Sequence, residues 1–187
     1  MIQTKILTIA QIGNQVLRKK AKSLSFPLDK ETLQLIEAMF ATMIATNGVG
    51  IAAPQVSKSL QIIIAASRPN ERYPYAPLMK PIVMINPEII EKGDNVVTDW
   101  EGCLSVPNIR GLVPCSDSVT IKYQDVIGKS IMKKLTGFPA RIVQHEVAHI
   151  QGLLFTDRVS SPKDLYSQSE FKKRLKRRPK TNIQKQT

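Results

Sequence analysis

Gln144–Gly152 reads QHEVAHIQG, and His145 and His149 are the only two histidines among 187 residues. On a helix, positions four apart lie roughly 40° apart around the axis, so both imidazoles project from one face and can bind one metal ion. Glu146, beside the first, can flank such an ion without ligating it, the HExxH pattern of metal-assisted hydrolysis. The plainer alternative is a pair of exposed histidines, or histidines satisfied within a core. The wider stretch, GFPARIVQHEVAHIQG, supports the helix. Pro139 falls near its first turn and Gly152 just past its last, with Val143, Val147 and Ile150 as an apolar stripe.

Upstream, SVTIKYQDVIGKSIMKKL alternates on either side of an Asp125–Gly128 turn and reads as a hairpin. VVTDWEGCLSVP is a strand running into a turn. LQIIIAAS and IVMINPEII are further strands, separated by RPNERYPYAPLMKP, a proline-rich surface connection. GVGIAAPQ reads as a loop. DKETLQLIEAMFATMIAT predicts a helix capped by Asp29, with Leu33, Ile36, Phe40 and Met43/Ile44 as its apolar face. A helix, several strands and a late helix, with no internal repeat, place the chain in the α+β class.

The length suits one ordinary domain, and 42% apolar residues lie well clear of the disordered regime. No window approaches eighteen consecutive apolar residues, which argues against a membrane span. The N-terminal MIQTKILTIA has neither the pattern of a secretion signal nor that of a transit peptide, so a cytoplasmic, reducing location is expected. Cys103 and Cys115 are then read as free thiols or a metal ligand rather than a disulfide. The net charge of +12 is uneven: residues 170–187 carry eight basic side chains against Glu170 alone. A division follows, with residues 1–165 as the catalytic domain and 166–187 as a basic tail, partly helical or disordered.

A catalytic metal site normally has three protein ligands and an open position. With no third histidine, the third ligand is a carboxylate or a thiolate. Cys103, in EGCLS after a strand and among small residues, is favoured over Cys115, in GLVPCSDS; a buried inert thiol is the competing fate of either.

Three segments, GVGIAAPQ (48–55), EGCLS (101–105) and QHEVAH (144–149), resemble in order and spacing the signature motifs of peptide deformylases. GNQVLRKKA, INPEI, RGLVP and GLLF are also similar to that family's intervening segments, so the resemblance covers about residues 5–160. It implies an α+β fold with antiparallel or mixed strands around a central HExxH helix. Cys103, His145 and His149 would ligate one divalent metal ion, typically Fe2+, replaceable by Zn2+, Ni2+ or Co2+. The implied reaction removes the N-formyl group from formyl-methionine at the start of new polypeptides. Such an ion lowers its water's pKa toward about 7, and Glu146 would take that proton and return it to the leaving amine. The resemblance assigns oxyanion stabilisation to the Leu104 N–H and the Gln55 amide; Gln55 could also simply close its own turn. Gly48, Gly50 and Gly102 would let a peptide substrate approach the backbone. Ile51, Leu104, Phe138 and Ile142 are candidates for the apolar pocket, ordinary core being the rival reading for the last two.

Two positions depart from the family's usual pattern. Ala148 stands where aspartate usually precedes the second histidine, and Cys115 where arginine usually follows LVP. Together they read as a missing acid and its missing basic partner. In the tail, Phe171 and Leu175 share a face of a helix that Pro179 would stop. Lys172, Lys173, Arg174, Lys176, Arg177 and Arg178 would attract a polyanion such as ribosomal RNA, or form a solvated tail. Two alternatives stand beside a monomeric or weakly dimeric deformylase: a zinc endopeptidase, and a deformylase-like ribosome-binding factor with weak activity.

Overall fold

Along Ile62–Ser67 nearly every residue is apolar or small, so alternate side chains need cover on opposite faces of a sheet. The computed structural model, which describes residues 5–69 and 76–177, covers both faces. Ile62 and Ile64 of this strand, β2, pack with Ile36, Met39 and Met43 of helix α1 (Lys30–Ala45). Ile63 and Ala65 pack instead with Val143, Val147 and Ile150 of helix α2 (Gly137–Ile150). Fully burying each such side chain is worth about 1.5–3 kcal/mol, so this alternation holds the HExxH helix against the sheet.

The sheet runs in the order β1-β2-β3-β6-β7, from β1 (Gly50–Ala52), β2, β3 (Met79–Lys92), β6 (Ser118–Gln124) and β7 (Ser130–Thr136). A second sheet, β4-β5-β8, comprises β4 (Val96–Cys103), β5 (Val106–Ser116) and β8 (Leu165–Ser167). Every pairing in both sheets is antiparallel. Helix α2 packs against strands of both, so the expected α+β arrangement around a central HExxH helix is what the chain adopts.

Local signals explain most element ends. The Asp29 carboxylate accepts from the Thr32 N–H at 2.7 Å and caps α1. Gly152, at φ +82°, ends α2 in the left-handed conformation that glycine adopts without strain, and a Cβ there would stand 2.9 Å from the Arg18 carbonyl. The β6–β7 hairpin turns at Asp125–Gly128 as the alternation indicates.

Helix α1 buries only part of the face expected, Ile36 and Met43, and adds Met39 to it. Ile36, Met39 and Met43 face the sheet, whereas Leu33, Phe40 and Ile44 are each about 40% exposed. Two helical stripes run along this segment, and only contact with β1 and β2 selects between them. GVGIAAPQ is also more regular than a loop, since Gly50–Ala52 is a strand and Ala53–Val56 a 3-10 turn. Of the proline-rich connection, residues 70–75 lie outside the described residues, and Met79–Pro81 already belong to β3.

At the C-terminal end, Leu165, Tyr166 and Ser167 pair with Gly111, Arg110 and Ile109, so the boundary drawn at 165 falls inside strand β8. Helix α3 (Gln168–Arg177) follows, with Phe171 buried edge-on against Trp100 at 4.8 Å between ring centroids. Arg178 lies outside the described residues. Among the described residues no helix is long and apolar enough to cross a membrane.

Candidate metal centre

Two elements deliver the site. Helix α2 brings His145, Glu146 and His149; the end of β4 brings Glu101 and Cys103, where the pairing register breaks between those two residues just before the turn into β5. Such an irregularity frees a strand end from the ladder and re-aims its side chains. The Cys103 Sγ lies 3.2 Å from His149 Nε2, and the ligand atoms of Cys103, His145 and His149 all fall within 4.8 Å of one another. A tetrahedral ion with sulfur and imidazole ligands needs them about 3.4–3.6 Å apart.

The electrostatics suit a cation. Burial pushes the Cys103 thiol up, but the His149 and His145 imidazoles outweigh burial and bring it well below its ordinary value. Burial pulls His145 down, but Cys103 and Glu101 outweigh that and raise it well above the usual histidine range. Sulfur and carboxylate thus favour positive charge between them, which is what a divalent ion supplies. Burial raises the Glu146 carboxyl to about 7, and its Oε2 is buried without a hydrogen-bond partner. One thiolate and two imidazoles, with a buried unpartnered carboxylate beside them, fit a three-ligand site with an open position.

The amide of Gln55 uses both ends. Its Oε1 accepts from the Ala52 N–H at 2.8 Å, closing the local turn. This turns Nε2 toward Cys103 Sγ and Ser105 Oγ, each at 3.3 Å. The two readings of Gln55, turn closure and a donor aimed at the site, are therefore compatible in one rotamer.

A cavity of about 400 Å³ opens onto this cluster. Gly48, Gly50, Gln55, Gly102, Cys103 and Leu104 line one part of it, and Phe138, Ile142, His145 and Glu146 another. Ile51 does not line it: the residue is fully buried in the cluster beneath α1, while its strand neighbours Gly50 and Ala52 face the α2 side, and Gly50 and the preceding Val49 line the cavity. A Cβ at Gly50 would stand 2.8 Å from Glu146 Cδ and closer still to Oε1. Gly50→Ala should therefore displace the carboxylate and lower kcat/KM by about 10²-fold, with the cation retained; steady-state kinetics beside metal analysis checks this.

Several contributors were not singled out from sequence. Glu101 Oε2 meets His145 Nδ1 at 2.7 Å, and Arg141 Nη1 donates to Glu101 Oε1 at 3.0 Å. Burial alone would raise the Glu101 carboxyl; His145, Arg158 and Arg141 bring it down to about 2. Arg110 lies over Gly102 and donates through Nε to Gln168 Oε1 at 2.8 Å, so the first turn of α3 supports the cavity rim. A legible signal existed for Arg141: a charge one turn before His145, within an otherwise apolar stretch.

The two departures are not a simple absence of charge. Cys115 Sγ donates to Glu101 Oε1 at 3.2 Å and receives Arg158 Nη2 at 2.7 Å. Ala148 lines a separate polar cavity, and Arg158 lines it too. Neither position carries a charge of its own; Arg158 stands against Cys115 and shares a cavity wall with Ala148.

Comparison with known proteins agrees with this geometry. The family model of polypeptide deformylase matches residues 6–165. The chain is 48% identical over 166 residues to peptide deformylase 2 of Nostoc sp., covering 89% of this chain and 93% of that protein. It is 42% identical over 168 residues to peptide deformylase 2 of Shewanella oneidensis, covering 90% and 92%. The structure of the class I type b peptide deformylase from Acinetobacter baumannii with Met-Ala-Ser bound is similar at a TM-score of 0.82 and 46% identity, covering 84% of this chain and 100% of that one. The peptide deformylase from Thermotoga maritima gives 0.74 and 35%, covering 84% and 99%.

Proposed function

The chain belongs to the polypeptide deformylase family, and from that premise we propose that Cys103, His145 and His149 hold one divalent ion while Glu146 moves the proton. The activity is that of the family: metal-dependent hydrolysis of the N-formyl group on new polypeptides. The observation that carries the assignment of roles is the convergence of one sulfur and two imidazoles, from two distant segments, beside the buried carboxylate.

When bound, the ion supplies Lewis acidity, easing ionisation of water and polarising the formyl oxygen. Glu146, raised to about 7 by burial, is poised to accept a proton near neutral pH. It takes one from the attacking water as the new C–O bond forms. It then delivers that proton to the amine nitrogen as the C–N bond breaks, so that formate and a free N-terminus leave. Gln55 Nε2, fixed by its own carbonyl's bond to Ala52, and the Leu104 N–H stabilise the oxygen on which charge develops. Gly50 leaves room for the Glu146 carboxylate and Gly102 for the Arg110 guanidinium, Gly48 lines the same cavity, and Phe138 and Ile142 flank the methionine side chain. The Met-Ala-Ser bound in the Acinetobacter baumannii structure suggests formyl-Met-Ala-Ser as the assay substrate.

Ferrous iron is the ion we assign, on family grounds, with zinc, nickel and cobalt able to replace it. Cys103→Ser should lower occupancy and abolish measurable hydrolysis of formyl-Met-Ala-Ser; metal analysis and anaerobic kinetics test both. An unchanged pair of values would remove Cys103 from the ligand set.

The enzyme's place is the cytoplasm, where formylated chains are made, and its basic tail binds ribosomal RNA. Lys172, Lys173 and Arg174 are exposed on α3, Lys173 pairing with Glu170 and Arg174 lying over the Tyr166 ring at 4.4 Å. Replacing these three by alanine should weaken ribosome binding and reduce the steepness of its salt dependence by about two. Turnover of the free peptide should be unchanged, and unaltered ribosome affinity would reject the contact.

A further inference from the structure

Glu101 is only 4% exposed, and the proposed chemistry never touches it directly. Its two oxygens are divided. Oε2 meets His145 Nδ1 at 2.7 Å and faces Arg158 Nη1 at 3.5 Å; Oε1 accepts from Arg141 Nη1 at 3.0 Å and from Cys115 Sγ at 3.2 Å. Arg141 precedes His145 by one helical turn, on the same face of α2. Its guanidinium also donates to the carbonyls of Val113 on β5, at 2.9 Å, and Val97 on β4, at 2.6 Å. A buried planar group held at three points leaves the carboxylate it binds little freedom.

We propose that Arg141 and Arg158 are positioning residues for the metal centre: together they lock Glu101, which holds His145 by Nδ1 and presents Nε2 to the ion. This rests on the assignment of His145 as a ligand. Partners behind a ligating imidazole fix its tautomer and orientation, and their loss typically costs about 10- to 100-fold in metal affinity or activity. Cys115 completes the argument. The thiol touches both Glu101 and the Arg158 guanidinium, so an arginine at that position would crowd a third cation onto one carboxylate. The charge that serves Glu101 comes here from α2 and the segment after it, and β5 supplies only a small neutral side chain.

The test uses the full-length, cobalt-loaded protein and three readouts: cobalt affinity by competition, the visible cobalt bands, and kcat against KM. Arg158→Gln and Arg141→Gln should each weaken cobalt binding by about 10- to 100-fold and shift the visible bands, with the thiolate-to-cobalt band kept and KM little changed. Arg141→Lys should recover part of the affinity. The double variant Arg141→Gln/Cys115→Arg should recover most of it, by supplying a guanidinium from β5. Wild-type affinity and bands in folded Arg158→Gln and Arg141→Gln would overturn the proposal. If Arg141→Gln does not fold, the double variant decides: folding with near-wild-type cobalt affinity supports positioning, and failure to fold rejects it in favour of a purely architectural guanidinium. Absence of a thiolate band in the wild type would instead count against Cys103 as a ligand, a separate failure.

Discussion

Hydrolysis of formyl-Met-Ala-Ser by Glu146→Gln should fall by about 10²- to 10⁴-fold in kcat, the range for loss of a positioned general base. The amide is close in size to the carboxylate, so the space left by Gly50 stays filled and the cavity keeps its shape. Glutamine cannot take a proton from water near neutral pH, and that is the property removed. KM and cation content should change little, because Glu146 is not one of the three converging side chains that could hold the ion. Retention of kcat within tenfold, with a full complement of metal, would assign proton transfer to another group.

Glu101→Gln should cost about 3–5 kcal/mol, since removing one member of a buried charge cluster leaves the others uncompensated. Arg141 and Arg158 both lose their anion while remaining largely buried. For a chain of this size the loss corresponds to a fall in Tm of roughly 10 °C, measurable by calorimetry. The same carboxylate gives a pH signature. Its folded value of about 2 lies below the ordinary 4.5, so its contribution is fully present above pH 4.5 and drains away as pH falls toward 2. That contribution is about 3 kcal/mol. The wild type should therefore lose stability along this acid limb, while Glu101→Gln should show a flatter profile there. Parallel profiles would show that Glu101 carries no such linkage.

How much of this was legible in sequence depends on the distance between cooperating residues. The HExxH helix, the Asp29 cap and the Asp125–Gly128 hairpin rest on contacts a few residues apart, where spacing is informative. The buried face of α1 was legible only in part: Ile36 and Met43 were expected to be buried, but Leu33, Phe40 and Ile44 lie at helical spacing beside them, and contact with the sheet alone excludes those three. Ile51 was misplaced for a similar reason: β1 has three residues, too few for its alternation to declare which side faces α2. The Glu101–Arg141–Arg158 cluster joins β4, α2 and the segment after it, and no local pattern ties those three positions together. Cys103 was only preferred over Cys115 on spacing; the fold brings its sulfur, and not that of Cys115, together with both imidazoles.

Gln168 lines the cavity beside the metal centre, and Phe171 backs Trp100, which lines it too. A chain cut at residue 165 would strip the aromatic lid from Trp100 and release the tether on Arg110. Losing α3 should therefore loosen the Trp100 and Arg110 side of the cavity, so the helix that carries Lys172, Lys173 and Arg174 is also a brace for that rim.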